Sequence, residues 1–221
     1  MLTKNPMTAL ARRVVASLAL LYSVRMLGLF MALPLLALYA TDMLGATPLM
    51  IGVALGAYGA TQALLQIPLG WLSDRIGRKP VIYLGLAIFA LGSVVAALAD
   101  SVAVVALGRA LQGAGAISSS VMALAADLTS EEQRTKAMAI IGISIGASFA
   151  VAVVCGPLIA AFGGLQAVFW MTAGMALVCL VVVAVGVPTA QSRRHDEVGP
   201  SANLLRSVVR NPVLLRLDGS V

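Results

Sequence analysis

Gly70-Trp71-Leu72-Ser73-Asp74-Arg75-Ile76-Gly77-Arg78-Lys79-Pro80 closes one uncharged run, Met43 to Ser73, and opens another, Pro80 to Ala99. A bilayer core about 30 Å thick takes about 20 residues of apolar helix. Each run is therefore long enough to cross a membrane, and the charged stretch between them must reverse the chain within a few residues. Gly77 permits backbone conformations that cost other residues energy, and Pro80 suits the first turn of a following helix. Asp74 falls at a membrane edge, where an unpaired carboxylate is expensive, so Arg78 or Arg75 is its natural partner. On these grounds alone the stretch could equally be a positively charged turn with no further role.

The same reading extends outward. Ala137 to Ser192 is uncharged and long enough for two crossings, with a turn at Phe162-Gly163-Gly164. Val14 to Thr41 is interrupted only by Arg25, and Ser101 to Ala126 only by Arg109. The sequence thus predicts an all-α membrane protein with six transmembrane helices, at about 14–40, 49–71, 80–99, 102–126, 137–161 and 165–187. Composition agrees: 60% of the 221 residues are apolar, only 11% are charged, and the mean hydropathy is +0.99. A soluble domain carries roughly 25% charge and 45–50% apolar residues, so a soluble enzyme, a disordered tail and a nucleic-acid-binding module are all excluded. The net charge of +6 points instead to anionic lipid and to membrane orientation. Cys155 and Cys179 lie in apolar runs and support neither a disulfide framework nor a metal site, so no metal or cofactor is expected.

Basic residues fix the expected orientation. Every Lys and Arg outside the spans falls in one of four segments: the N-terminal tail (Lys4, Arg12, Arg13), the second-to-third connection (Arg75, Arg78, Lys79), the fourth-to-fifth connection (Arg134, Lys136), or the C-terminal tail (Arg193, Arg194, Arg206, Arg210, Arg216). The alternate connections, near Asp42, Asp100 and Gly163, have none. The positive-inside rule places the basic side, with both termini, in the cytoplasm of a cell whose inner membrane the chain spans. Residues 1–13 then form a cytoplasmic tail, 14–187 a six-helix bundle, and 188–221 a cytoplasmic linker. The first run has the basic start of a signal peptide, but Arg25 interrupts its core and apolar residues continue to Tyr39, which favours a retained span. In the linker Ser201 can cap a short helix, with Leu204, Leu205, Val208 and Val209 on one face and Arg206 and Arg210 on another, the pattern of a helix lying in the membrane surface. Asn211-Pro212 ends it. Leu214, Leu215 and Leu217 look like the start of another apolar run, so the chain reads as stopping at the threshold of a seventh span.

Polar residues inside the spans are few. A charge at the bilayer centre costs at least about 2.5–3.5 kcal/mol, so Arg25 and Arg109 should each face a cavity or a partner. Gln112 lies three residues beyond Arg109, on a neighbouring face. Gln62 and Gln66 can hydrogen-bond across helices or line a path. Ser118, Ser119 and Ser120 are expected to bond back to their own helix carbonyls, and Pro157 to kink the fifth span. Gly52 with Gly56 and Gly142 with Gly146 are small-xxx-small pairs whose simplest reading is packing within the bundle. No Asp or Glu lies at mid-span, so a proton-exchanging group would sit at a span end, as at Asp42, Asp74 or Asp127, or outside this chain. Asp127 should emerge near Asp74 and Arg78, which suggests a charge network of the three.

The stretch 70–79 resembles the signature loop of the major facilitator superfamily, G-x-L-x-D-R-x-G-R-K, at every defined position: Gly70, Leu72, Asp74, Arg75, Gly77, Arg78 and Lys79. Other segments agree. Leu107-Gly108-Arg109-Ala110-Leu111-Gln112-Gly113-Ala114-Gly115 is similar to the family's fourth-helix motif, R-x-x-x-G. Gly156-Pro157-Leu158-Ile159-Ala160-Ala161 resembles the fifth-helix motif of its drug antiporters, G-P-x-x-G-G, with alanines in place of the last two glycines. Leu27-Gly28 followed by Pro34 resembles their first-helix motif, with Leu36 where a second proline is usual. Among family members the likeness is nearest to bacterial YajR-type transporters. The resemblance implies two six-helix halves about a central cavity, each with an inverted three-plus-three repeat, of which this chain supplies the N-terminal half. Arg25-Met26-Leu27-Gly28 and Arg109-Ala110-Leu111-Gln112 would be counterparts within that repeat. It also implies that the signature loop steadies the outward-facing state against the second half and that Arg109 serves proton coupling. The departures at the fifth helix weaken the implication of drug–proton exchange more than that of family membership.

Three functions compete. The first is the N-terminal half of a secondary transporter that exports small molecules by proton coupling and alternating access. Its partners would be the bilayer, a second six-helix half or another copy, the small-molecule substrate and protons. The second is an inactive truncated or split-gene half with a structural or partner-binding role. The third, an intramembrane enzyme, lacks support: the one histidine, His195, lies outside the spans, and the spans hold no cluster of acids for a metal. No G-x-x-x-x-G-K-[ST] phosphate loop is present either, which removes ATP drive within this chain.

Overall fold

The structure, a computed structural model, describes residues 8–186. The surface helix and linker read from residues 188–221 lie outside the described residues. Among the described residues the chain is helical: α1 (Ala9–Tyr39), α2 (Pro48–Ile76), α3 (Arg78–Ala97), α4 (Val102–Ala114), α5 (Ser118–Asp127) and α6 (Glu131–Gly186), with a short 3-10 turn at Ala40–Asp42. Starts follow sequence chemistry. Thr8, Thr47 and Ser101 cap α1, α2 and α4 by accepting hydrogen bonds from backbone N–H groups three residues on, and Pro48 opens α2.

Two of these elements differ from the simple span count, in opposite ways. α6 is 56 residues long, yet its backbone leaves helical geometry at Gly163 and Gly164, the latter at φ +60°. Its arms, 131–162 and 165–186, are two crossings, as the expected turn at Phe162-Gly163-Gly164 requires. Contacts with α1 show that the arms run in opposite directions. Ser23 and Ala19 meet Ser144, and Met31 and Leu35 meet Gly156, so the first arm runs parallel to α1. Ser17 meets Gly186, Gly28 meets Thr172 and Tyr39 meets Gly164, so the second runs antiparallel. The fourth crossing, expected as one helix over 102–126, is instead broken between Ala114 and Ser118 into α4 and α5. Gly113-Ala114-Gly115 weakens the helix there, and the Gly115 carbonyl bonds a side chain instead of continuing the ladder.

α3 and α4 cross with backbones nearly touching. A Cβ on Gly92 would lie 2.6 Å from the Gln112 nitrogen, and one on Gly108 2.7 Å from the Ala96 nitrogen. α2 runs parallel to α4 and α5, with Tyr58 and Thr61 at Gly113 and Gln66 and Gly70 at Ser119. The expected packing pairs behave differently. A Cβ on Gly52, Gly56, Gly142 or Gly146 would meet nothing within 4 Å. These glycines face out of the bundle and do not pack it, a correction to the simplest reading of their spacing. α2 is correspondingly far more exposed than α3.

The ends sort into two sets. Arg13 bonds the Val185 carbonyl, Lys79 bonds the Ala184 carbonyl, and Arg78 meets Asp127. At the other end Leu44 meets Val102, and Gln166 meets Ala99. All the basic connections among the described residues therefore share one end of the bundle.

Candidate functional site

Two polar centres stand out, one deep in the bundle and one at its basic end. The deep centre is built around Tyr58, on the face of α2 turned toward α3 and α4. Arg25 projects from α1 and Arg109 from α4, and each is only 1% exposed. Arg25 donates from Nε to the Tyr58 hydroxyl (3.0 Å), from Nη1 to the Gly115 carbonyl at the break in the fourth crossing, and from Nη2 to Gln62 Oε1 (3.2 Å). Its guanidinium carbon lies 5.7 Å from the Tyr58 ring centre and 5.4 Å from that of Phe89. Arg109 approaches the Tyr58 ring at 4.9 Å and donates from Nη1 to Gln112 Oε1 at 3.0 Å. Gln112 in turn donates to Ser93 Oγ, and Ser93 donates to the Phe89 carbonyl, each at 2.8 Å. Aromatic faces attract cations, and the helix break offers the carbonyl end of α4 to a positive charge. Each arginine is thus solvated by dipoles within the half-bundle.

Not every polar atom in this region is satisfied. Nε and Nη2 of Arg109 and the hydroxyls of Ser118 and Ser120 are buried without a hydrogen-bond partner. The serines do not bond back to their own helix as expected. Only Ser119 is engaged, and it bonds the Gln66 carbonyl on α2 at 3.2 Å.

The second centre is the loop at 70–79. Arg78 is paired with Asp74, four residues before it across Gly77, and with Asp127 at the end of α5, Nε to Oδ2 3.4 Å. Its Nη1 also donates to the buried Ser73 hydroxyl at 3.2 Å. The predicted charge network of Asp74, Arg78 and Asp127 is therefore assembled, with Arg78 rather than Arg75 as the partner of Asp74. Arg75 instead stacks on Trp71, 3.6 Å from the ring centre, and Lys79 reaches across to the end of α6. Gly77 holds φ +101° between α2 and α3, a conformation other residues resist. Gly70 lets α5 approach, since a Cβ there would stand 3.1 Å from Ser119 Oγ. Leu72 is half-buried.

The fifth-helix motif lies apart from both centres. Gly156 meets Met31 and Leu35 at ordinary contact distances. Non-helical backbone in α6 falls at Gly163 and Gly164 and not at Pro157. Pro157 and Pro34 line an apolar cavity of about 420 Å³ between α1 and the first arm of α6, with Leu38, Tyr39 and Val153. Among the described residues no group of His, Cys, Asp and Glu could hold a metal ion.

Comparison with known proteins fits this architecture. The Major Facilitator Superfamily model matches residues 18–219. The chain belongs to the major facilitator superfamily. Its relatives include the inner membrane transport protein YajR of Escherichia coli, 50% identical over 96% of this chain and 47% of that protein. They also include the multidrug resistance protein D of the same organism, 36% identical over 66% of this chain and 36% of its own length. A solved bacterial homologue of the human lysosomal transporter Spinster superimposes with a TM-score of 0.72 at 15% identity, over 96% of this chain and 52% of that one. The chain thus spans about half the length of the relatives it matches. Major facilitator proteins are transporters and not enzymes, and this chain is a multi-pass membrane protein with half of their fold.

Proposed function

We propose that this chain is the N-terminal six-helix half of a secondary transporter in the inner membrane. In this reading it works with a second half to export small molecules in exchange for protons. The observation that carries the reading is the deep centre. Two permanently charged side chains are held inside apolar spans by a tyrosine, two carboxamides and a broken helix, an arrangement expensive to keep for packing alone. Discontinuous helices that aim backbone groups at the membrane midplane are the usual material of transporter sites. The Asp74–Arg78–Asp127 triangle supplies a conformational latch at the basic end, which the positive-inside rule assigns to the cytoplasm. The outward-facing glycines of α2 and α6 leave room for the close approach of a second half. Among the described residues no carboxylate lies near the deep centre, so in this reading the proton is exchanged at a span end or in the second half.

The test uses liposomes with an imposed pH gradient and a panel of fluorescent solutes. Gradient-driven flux that collapses when the gradient is dissipated supports proton exchange. Facilitated flux indifferent to the gradient removes the coupling but leaves transport. No flux from this chain together with a second half leaves the inactive, structural reading in its place.

A further inference from the structure

The deep centre holds more positive charge than it neutralises. Among the described residues the acids are Asp42, Asp74, Asp100, Asp127, Glu131 and Glu132, and all stand at or beside the ends of helices. Two of these acids, Asp74 and Asp127, are paired with Arg78 at the basic end. Around the two arginines, α1 brings Arg25 itself, α2 brings Tyr58 and Gln62, α3 brings Phe89 and Ser93, and α4 brings Arg109 and Gln112. None of these neighbours is a carboxylate. Where a structural ion pair would set a Glu, the chain sets Gln62 against Arg25 and Gln112 against Arg109. A carboxamide oxygen satisfies a guanidinium N–H but cancels none of its charge. Buried donors are also left over on Arg109, at Nε and Nη2. Unused donors and uncancelled charge point to the same missing species, an anion with two or more acceptor oxygens.

We infer that the centre formed by Arg25, Arg109 and Tyr58 selects a solute bearing a carboxylate-class anionic group, with the half-buried Gln62, which bonds Arg25, at its edge. The inference rests on the transporter reading above and adds the charge class of the substrate. Coulombic attraction in a poorly hydrated site favours an anion, leaves a neutral isostere unaided and repels a cation. A Glu at position 62 would cancel the charge of Arg25 from within and remove the preference, while an Ala there would keep it.

Equilibrium binding of three near-isosteric probes to the intact protein in nanodiscs tests this: benzoate, neutral benzamide and cationic benzamidine. Benzoate is expected to bind saturably and at least about tenfold more tightly than benzamide, a difference of roughly 1.4 kcal/mol. Benzamidine should not compete. Gln62→Glu should abolish the discrimination and Gln62→Ala should retain it. Equal binding of the three probes, no saturable benzoate binding, or discrimination that survives Gln62→Glu overturns the inference. An acid contributed by a second half would fill the same place and remove the benzoate preference, which also counts against a solute. No proton gradient enters this measurement, so its failure is distinct from failure of proton-coupled flux.

Discussion

At the scale of single residues the deep centre is governed by one asymmetry. A buried guanidinium that keeps its partners costs little beyond its burial, whereas one that loses a partner pays the full desolvation of the freed group. Tyr58 is the residue on which both arginines depend, since its hydroxyl accepts from Arg25 and its ring faces Arg109. Tyr58→Phe keeps the ring and removes the acceptor. It should destabilise the bundle by about 1–3 kcal/mol, read as a lowered midpoint of thermal unfolding in detergent, and an unchanged midpoint would show that Arg25 finds another acceptor. Arg25 and Arg109 were legible in the sequence because a charge in an apolar run is conspicuous. Tyr58, Ser93 and the Gly115 carbonyl were not. A tyrosine or serine in a span is ordinary, and a backbone carbonyl freed by a helix break leaves no mark beyond two nearby glycines. Gln62 and Gln112 were legible as polar, but nothing in one dimension pairs Gln62 with an arginine 37 positions away.

At the scale of elements the glycines divide the helices into packed and open faces. Where α3 crosses α4, Gly92 and Gly108 stand against backbone atoms at 2.6–2.7 Å from any added Cβ, so even one methyl group must force the helices apart. Gly92→Ala or Gly108→Ala should cost about 1–3 kcal/mol, the range of overpacked cores, and lower the yield of folded protein in size-exclusion profiles. Gly52→Ala and Gly142→Ala should leave this half-bundle as stable or raise it slightly, because alanine is about 1 kcal/mol the better helix former. If the second pair proved as damaging as the first, those faces would be buried by something other than this half. Spacing revealed the open glycines and missed the packed ones. The pattern small-xxx-small marks a face but not its partner, and Gly92 and Gly108 meet across two helices with no shared motif. The break between α4 and α5 escaped for a related reason. No charge or proline separates Ala114 from Ser118, and the two glycines there mark a weak point whose opening becomes visible only with the Arg25 contact to the Gly115 carbonyl.

At the scale of the whole molecule, the alternation of basic and non-basic connections and the contact pattern of the helices give the same arrangement by independent routes. Charge counts in the sequence put positions 78 and 134 on one side of the membrane and position 163 on the other. In the structure, Arg78 pairs with Asp127 just before the α5–α6 connection, and Tyr39 meets Gly164 at the opposite end. Agreement arises because the helices can alternate in only one way once Gly163 and Gly164 are recognised as a reversal. Had they been helical, α6 would be a single rod of 56 residues, about 84 Å at 1.5 Å per residue and nearly three times the bilayer core. Thiol labelling examines both routes together. With Cys155 and Cys179 replaced, single cysteines at Arg134, at Arg75 and at Phe162, whose side chain is 93% exposed, are treated with a membrane-impermeant maleimide. The Arg134→Cys and Arg75→Cys proteins should react in inside-out vesicles and stay unreacted in intact cells, and Phe162→Cys should do the reverse. Labelling of Arg134→Cys and Arg75→Cys from different sides would break the six-crossing arrangement, and with it the shared end on which the Asp74–Arg78–Asp127 latch depends. Labelling of all three with the sides exchanged would keep the bundle and the latch but set the basic end outside, against the field that orients Lys and Arg during insertion.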